Sequence, residues 1–388
     1  MKVEVHNRCD DFDSYRAARV KSLFNAETGA NFDLAAEIPD DPDWKIGVVV
    51  GPSGSGKTSI GRALWGGEAF YEPDDWPADA PIVDCISPDG DFDAVTGALA
   101  QVGLGDVPAW LRPYPVLSTG QKFRANLARV LAEAPGRVVI DEFTSVVDRQ
   151  IARIGAGAFA KAWRRTKGQA VLLTCHYDVL DWLEPDWVYD TGRQALARGS
   201  LQYRRPTIDV EIREGGWDLW PYFKPHHYLD SGPMPAARCY VAFVGDDPVA
   251  HLGVSTRNIR VGKRQAVEAR ACRLVTMPEW QGAGIGMRFL NHVCQRQMDG
   301  DGVQPGKRMT TLFHTSHPQL CAALRRDRRW AQVSAVLHGG NKARCKASMR
   351  RSGQRTRGAA RSSFGACPIG YGGHFRAVQG FRYVGEPA

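Results

Sequence analysis

Residues 48–60 read VVVGPSGSGKTSI, and the reading of this stretch decides the fold of the first half of the chain. Its valines end the apolar run KIGVVV (45–50), which has the β-branched composition of a buried strand. The next residues, Gly51, Pro52, Ser53, Gly54, Ser55 and Gly56, form a loop closing on Lys57 and Thr58, and TSIGRAL (58–64) opens a helix. Gly51-x4-Gly56-Lys57-Thr58 is the complete P-loop pattern in its strand–loop–helix setting. Small residues let successive backbone N–H groups turn toward a phosphate chain at a helix N-terminus. Lys57 is placed to reach β- and γ-oxygens, and the Thr58 hydroxyl to bind Mg²⁺. ATP and Mg²⁺ are the expected ligands.

The second half of such an engine lies in VLSTGQKFRANLARVLAEAPGRVVIDEFTSVVD (116–148). RVVIDEF (137–143) reads as a buried strand ending in Asp141 and Glu142. Asp141 is the second candidate Mg²⁺ ligand, and Glu142 is placed to polarise an attacking water. AVLLTCH (170–176) reads as another apolar strand, ending in His176 where a γ-phosphate would be sensed. A polar group at each strand's carboxyl end is what a nucleotide-binding α/β sheet requires.

These residues carry a family resemblance. Leu117–Gln121, LSTGQ, resembles the LSGGQ signature of ABC-type ATPases, with Thr119 in place of the first glycine. SVVD (145–148) resembles their D-loop and His176 their switch histidine. The resemblance implies that Ser118, Gly120 and Gln121 cap ATP held on another copy's P-loop, with Asp148 also a nucleotide-binding residue, and hence a homodimer closing on two ATP molecules. Two departures stand out. Only 58 residues separate Thr58 from Leu117, which cuts down the helical subdomain that couples to membrane proteins, and DCISPDGDFDAV (84–95) offers no Q-loop glutamine. A soluble mechanical or regulatory ATPase is the better expectation than export.

At 388 residues the chain is expected to hold two domains. Its 43% hydrophobic and 24% charged content is that of a globular protein. It has no apolar run long enough for a membrane helix and no leader-like N-terminus, so a cytoplasmic protein is expected. Nine cysteines without a CxxC pair read as free thiols. Cys345, Cys367, His338 and His374 share one stretch and could bind zinc, but their spacing is loose; unrelated packing is the plainer account. The net charge of +8 is uneven: residues 301–388 hold 16 Lys/Arg against three acids. Within 325–361 there are twelve basic residues and one acid, Asp327. So lopsided a stretch needs ample solvent or an anionic partner, DNA or RNA, on which Trp330 could stack.

Past LARGSLQYRRPTIDVEI (196–212) the nucleotide motifs are exhausted, and the boundary is placed at 205/206. ARCYVAFVGDDPVAHLGVST (237–256) reads as a hairpin turning at Gly-Asp-Asp-Pro. ARACRLVTMPEWQGAGIGMRFLNHVCQRQ (269–297) reads as a strand, a glycine turn and an amphipathic helix with Met287, Leu290, Val293 and Cys294 on one face. The loop Gln281, Gly282, Ala283, Gly284, Ile285 and Gly286 resembles the Q/R-x-x-G-x-G/A loop of GNAT acyltransferases. That resemblance implies an acetyl-CoA pyrophosphate on amides at a helix N-terminus, beside a splayed strand. A glycine turn in which Gly286 packs helix on strand is the alternative. FRAVQGFRYVG (375–385) looks like the closing strand region of such folds. The whole arrangement resembles a group described as an ABC-type ATPase fused to a predicted acetyltransferase domain. The implied fold is α/β: a P-loop ABC-type ATPase domain (1–205), then a GNAT-like α+β acyltransferase domain (206–388) with a basic insertion around 325–361.

For proton transfer in acyl transfer, His226, His227, Glu268 and Tyr371 are the titratable candidates, and the sequence does not choose among them. Three functions stay open: ATP-driven acyl transfer to nucleic acid, acetylation of a protein or small molecule under ATP control, and a DNA-associated ATPase whose second domain only binds.

Overall fold

The computed structural model describes residues 1–7, 12, 14–24, 32–39, 43–71, 76–133, 136–199, 202–227, 232–234, 236–262, 264–336 and 378–385. His338, Cys345, Cys367, Tyr371, His374 and the basic residues of 342–361 lie outside the described residues. The chain divides into two compact units. The first is Met1–Gly90, Gln101–Gly103 and Leu111–Thr207; the second is Asp91–Ala100, Leu104–Trp110 and the chain from Ile208 on. The passage between halves thus lies beside the sequence-based boundary at 205/206. Two stretches between the P-loop and the LSTGQ segment nevertheless belong to the second unit.

In the first unit, β1 (Lys2–Asn7) and β2 (Phe32–Glu37) form an antiparallel pair, with α1 (Tyr15–Phe24) between them in sequence. The chain continues through β3 (Ile46–Val50), α2 (Lys57–Trp65) and α3 (Ile82–Cys85). Then come α4 (Phe92–Gln101) and α5 (Val107–Trp110), both mainly of the second unit. It returns with α6 (Thr119–Glu133), β4 (Arg137–Ile140), α7 (Arg149–Trp163), β5 (Gln169–Thr174), α8 (Leu180–Leu183), β6 (Trp187–Asp190) and β7 (Ala195–Arg198). The sheet order is β4-β5-β3-β6-β7, parallel throughout except for β7.

Every residue of β3 is buried, as its unbroken apolar run requires of a central parallel strand. Full burial of each large aliphatic side chain contributes about 1.5–3 kcal/mol. Gly47 is obligatory within that strand: a Cβ there would lie 1.9 Å from the Trp187 indole. Trp187 instead packs edge-on against Trp44 and stacks on Trp65. The stretch 137–143 is shorter as a strand than its sequence suggests. β4 ends at Ile140, because the Phe143 N–H donates to the Leu173 carbonyl at 2.8 Å and Thr174 Oγ1 donates to the Phe143 carbonyl at 2.8 Å. The chain folds over the end of β5 instead of running on.

The second unit is built on β8 (Glu211–Gly215), β9 (Arg238–Val244), β10 (Asp247–Val261), β11 (Arg264–Thr276), β12 (Thr311–Thr315), β13 (Trp330–Val336) and β14 (Val378–Tyr383). Its helices, besides α4 and α5, are α9 (Trp220–Phe223), α10 (Ile285–Asp299) and α11 (Pro318–Arg326). The sheet runs β8-β9-β10-β11-β12-β14-β13, and β11–β12 is its one parallel pair among the described residues. That pair holds register only from Ala269↔Thr311 to Ala271↔Phe313, although β11 runs on to Thr276 and β12 to Thr315. The two strands therefore part at their carboxyl ends. On one face of the sheet, Phe289, Leu290, Val293 and Cys294 of α10 join the main core. Trp220, Phe223, Val241, Val275 and Met277 form a separate apolar cluster.

Trp330 is not available to stack on a base. It is 6% exposed, its Nε1–H donates to Asn291 Oδ1 at 2.7 Å, and its ring meets Tyr383 edge-on. No helix among the described residues is long and apolar enough to cross a membrane. Cys85, Cys175, Cys239, Cys272, Cys294 and Cys321 are free thiols, and no metal-binding cluster of His, Cys, Asp and Glu occurs among the described residues.

Candidate functional site

The loop 51–58 leaves β3 and enters α2, so its amides collect at the carboxyl edge of the parallel sheet. Gly54 (φ 76°) and Gly56 (φ 85°) are left-handed, a conformation that glycine adopts without the Cβ clash. Gly51 is needed for a different reason: a Cβ there would lie 1.9 Å from Thr191 Oγ1, which is hydrogen-bonded to Ser55 Oγ at 2.6 Å. Lys57 Nζ donates to the carbonyls of Gly51 (2.9 Å) and Pro52 (2.7 Å), which holds its cation over the loop. Thr58 Oγ1 donates to Asp141 Oδ2 at 2.8 Å. Hydroxyl and carboxylate thus meet as two hard oxygen ligands, the donor set that Mg²⁺ takes alongside phosphate and water. The residues present fit both Mg²⁺ and a nucleotide triphosphate.

Around Asp141 the backbone is strained. Glu142 (φ 48°) and Thr144 (φ 70°) are left-handed non-glycine residues, each at a cost of about 1–2 kcal/mol. The hydrogen bonds of Phe143 to β5 and its aromatic contacts with Phe123 and Phe159 hold them there. His176 Nδ1 lies 3.2 Å from Thr144 Oγ1, and Arg149 donates to the Thr144 carbonyl at 3.4 Å and to Asp178. Burial, and then the Arg149 guanidinium, lower the His176 pKa from the ordinary histidine value against the pull of Asp178. The arrangement gathers a cation, a metal-ligand pair, a carboxylate and a neutral imidazole at one sheet edge.

No protein-family model matches the chain. It is 30% identical over 167 residues to a cytochrome c biogenesis ATP-binding export protein of Rhodospirillum rubrum, covering 34% of this chain and 68% of that one. A namesake from Paramagnetospirillum magneticum is 29% identical, covering 34% of this chain and 75% of that one. The chain belongs to the ABC-type ATPases. Among solved structures, a dimeric bacterial ABC transporter cassette matches at 13% identity and TM-score 0.35, covering 43% of this chain and 92% of that one. A bacterial Atm1-family ABC exporter with ATP bound matches at 19% identity and TM-score 0.33, covering 45% and 36%.

The remaining ABC-type segments are seated by local hydrogen bonds. The Ser118 N–H donates to Gln121 Oε1 at 3.0 Å while the Gln121 N–H donates to Ser118 Oγ at 3.3 Å, a reciprocal capping box that opens α6. Gly120 packs on α7, where a Cβ would lie 2.7 Å from Ile151 Cδ1. Asp148 caps α7 by accepting from the Gln150 and Ile151 amides. Val116 and Val146 beside these segments are 63% and 72% exposed.

In the second unit, the loop 281–286 comes after the free end of β11 and opens α10. Gly282 (φ 95°) and Gly284 (φ 84°) are left-handed, and a Cβ on Gly284 would meet nothing within 4 Å. Gly286 is different: its Cβ would lie 2.8 Å from Thr276 Oγ1, so it packs helix on strand. Ile285 is buried and Ala283 packs against the core. The Gln281 side chain is taken up by protein: Nε2 donates to the Thr276 carbonyl at 3.0 Å, and Oε1 accepts from the Gly105 N–H at 2.9 Å. His317 Nε2 lies 3.3 Å from the Gly105 carbonyl, and the His317 N–H donates to Thr315 Oγ1. One residue between α4 and α5, Gly105, therefore links groups just beyond the parted ends of β11 and β12. The geometry fits a pyrophosphate at Gly284 and the first-turn amides of α10, not at the Gln281 side chain.

Glu268 is not an available base. It has no exposed surface; Oε1 accepts from Arg382 (2.5 Å) and Thr310 (3.3 Å), and Oε2 from Arg257 (2.6 and 2.8 Å). Burial alone would raise the Glu268 pKa, but hydrogen bonds from Arg382 and Arg257 bring it below the usual value. His226 is exposed, whereas His227 is half-buried against the Trp220 ring at 5.6 Å. The sequence reading missed His251, which is fully buried beside these rings. In DPVAHLGV it is one more position of an apolar strand, and nothing local marks it.

Proposed function

We propose that this ABC-type ATPase couples ATP hydrolysis to acyl transfer from acetyl-CoA to a nitrogen of a nucleic-acid substrate. The observation that carries the acyl-transfer reading is the parting of β11 and β12 beyond Ala271 and Phe313 next to a left-handed glycine loop that opens a 15-residue helix. Parted strands leave backbone N–H and C=O groups unpaired, which suits an extended pantetheine-like chain. The helix N-terminus suits its pyrophosphate. Acetyl-CoA supplies the activated thioester; this chain's part is to bind it, hold the acceptor nitrogen in line and exclude water.

In the first unit, Lys57 and the amides of 51–58 bind the triphosphate, Thr58 and Asp141 hold Mg²⁺, Glu142 orients the attacking water and His176 senses the γ-phosphate. Two copies close head to tail, so that Ser118, Gly120, Gln121 and Asp148 of one copy complete the other's site. Val116 and Val146, exposed beside those segments, are side chains that such a dimer would bury. Nucleic acid is favoured as acceptor by the twelve cations of 325–361, of which Arg325, Arg326 and Arg328 are exposed among the described residues. The ATPase exposes the base and the second unit modifies it, which supplies the few kcal/mol that unpairing a base costs.

The full chain incubated with radiolabelled acetyl-CoA and, in separate arms, tRNA, single-stranded DNA and protein tests this. Label entering RNA or DNA, and more of it with ATP, is the expected result. Label in protein alone moves the reading to a protein acetyltransferase under ATP control, and no transfer in any arm overturns acyl transfer.

A further inference from the structure

His251, near the start of β10, has no exposed surface. Its Nδ1 lies 3.2 Å from the Arg273 carbonyl oxygen, which can only accept, so the proton sits on Nδ1. That leaves Nε2 as a bare lone pair, and Nε2 is buried without a hydrogen-bond partner. Around the imidazole stand the rings of Trp220, Trp217 and Phe223, their centroids 5.1, 5.4 and 5.4 Å from its own. A buried acceptor left unmatched needs an explanation.

The backbone that sets this tautomer is itself unusual. Arg273 is a left-handed non-glycine residue (φ 57°) at a register shift of the β10–β11 pair, where His251 faces Val275 and Gly253 faces Cys272. A bulge at this point aims one carbonyl at Nδ1 and tends to mark a site. It lies in the part of β11 whose far edge is no longer paired with β12, one strand away from His251. Alternation along β10 puts His251 on the opposite face from Leu252, which packs in the core with α10.

Chemistry narrows what would meet this lone pair. Both His227 and Arg273 bear on the ring and disfavour a positive charge there. Glu268, on the neighbouring strand, is locked by two arginines. A box of flat aromatic faces with one neutral acceptor suits a flat, uncharged ring that carries an N–H donor; an alkylammonium would gain from the aromatic faces but would be set against the Arg273 cation. Trp217 forms the outer wall. It is half-buried, packs over Gly253 and comes directly after Gly215 and Gly216, where a Cβ on Gly215 would meet nothing within 4 Å. Gly216, which follows the last paired residue of β8, gives the wall the backbone freedom to swing aside.

We propose that His251, Trp217, Trp220 and Phe223 form the acceptor subsite for the exocyclic amine of a nucleobase, with Trp217 as its gate and His251 Nε2 holding the amine hydrogen. This deepens the acyl-transfer reading and rests on it. The amine nitrogen attacks the thioester carbonyl carbon, a C–N bond forms and the C–S bond breaks. The amine proton passes to Nε2 and on to the departing thiolate, leaving an N-acetylated base and CoA thiol.

The test uses the full chain and free nucleosides. Adenosine and cytidine, which carry the amine, should bind at least tenfold more tightly than uridine, with quenching of tryptophan fluorescence. His251→Phe keeps the packing and removes the acceptor, and should erase that preference. Trp217→Leu, at a half-buried position that does not threaten folding, should weaken both amino nucleosides about tenfold. Uridine binding as well as cytidine, an unchanged preference in His251→Phe, or spermidine displacing cytidine would overturn the subsite. Acetyl-CoA binding is measured separately. If wild type binds cytidine through His251 but no acetyl-CoA, the acyl-transfer reading fails and the subsite stands; if it binds acetyl-CoA but no amino nucleoside, the reverse holds.

Discussion

Helices α2 and α10 begin almost identically, one in each unit. Gly56 caps α2 at φ 85°, ψ 12°, and Gly284 caps α10 at φ 84°, ψ 9°, neither with a side-chain cap. Their first helical residues differ. After Gly56 come Lys57 and Thr58, a cation over the loop and a hydroxyl on Asp141. After Gly284 come buried Ile285 and Gly286, the latter pressed on Thr276. The same backbone device opens onto reactive groups in one case and onto packing in the other. A left-handed glycine at a helix start leaves the first-turn amides open; the neighbouring side chains decide what chemistry can follow, and on the proposed reading a phosphate is split at the first loop and merely held at the second.

The largest expected effect tests the splitting side. Glu142→Gln should lower steady-state phosphate release by about 10²- to 10³-fold; a variant retaining more than a tenth of wild-type turnover would break the contrast between the loops.

Next in size is acid stability, to which both units contribute. Burial lowers His251 to about 4 from an ordinary 6.5, and burial lowers His317 in the same unit. The unfolded chain therefore takes up protons first as pH falls. Stability is complete above about pH 6.5 and lost progressively toward pH 4, by roughly 3 kcal/mol for His251 alone. Urea unfolding at pH 7 and pH 5 should show the loss, and His251→Phe should remove most of it. His176 contributes in the same direction in the first unit, from a lowered pKa of its own.

Gly284→Glu tests the holding side. It should weaken acetyl-CoA at least tenfold by calorimetry relative to Gly284→Ala, which carries the left-handed strain without the charge, while ATP turnover persists. Equal affinities in the two variants would place the pyrophosphate elsewhere. The smallest effect sharpens the reading of the LSTGQ segment. Ser118→Ala removes half of the α6 capping box and should cost about 1 kcal/mol in urea unfolding.

Much of the ATP site was legible because its signals are local. An apolar run, a glycine loop and a Lys-Thr pair lie within 45–58, and the structure joins Thr58 to Asp141 by a hydrogen bond. The left-handed Glu142 and Thr144 were not legible, because they result from how Phe143 is tied to β5, a strand about thirty residues on. His251 and Glu268 show the same limit in opposite directions. The histidine hides inside an apolar strand, while the carboxylate looks like a base until Arg257 and Arg382 are seen on it. Trp330 looked like a stacking platform from its basic neighbours, but Asn291 and Tyr383 hold it in the core.

The assignment of α4 and α5 to the second unit has a consequence for taking the chain apart. A fragment starting at Ile208 would lack the Gly105 backbone that Gln281 and His317 hold, and the Asp93 carbonyl that receives Gln319. A fragment ending at Thr207 would carry α4 and α5 without the His317 ring that Trp110 meets edge-on. The two units are interleaved in sequence. A second-unit fragment that keeps these hydrogen bonds has to have 91–110 spliced ahead of residue 208, and exchange of either half between relatives would have to carry that inset along with it.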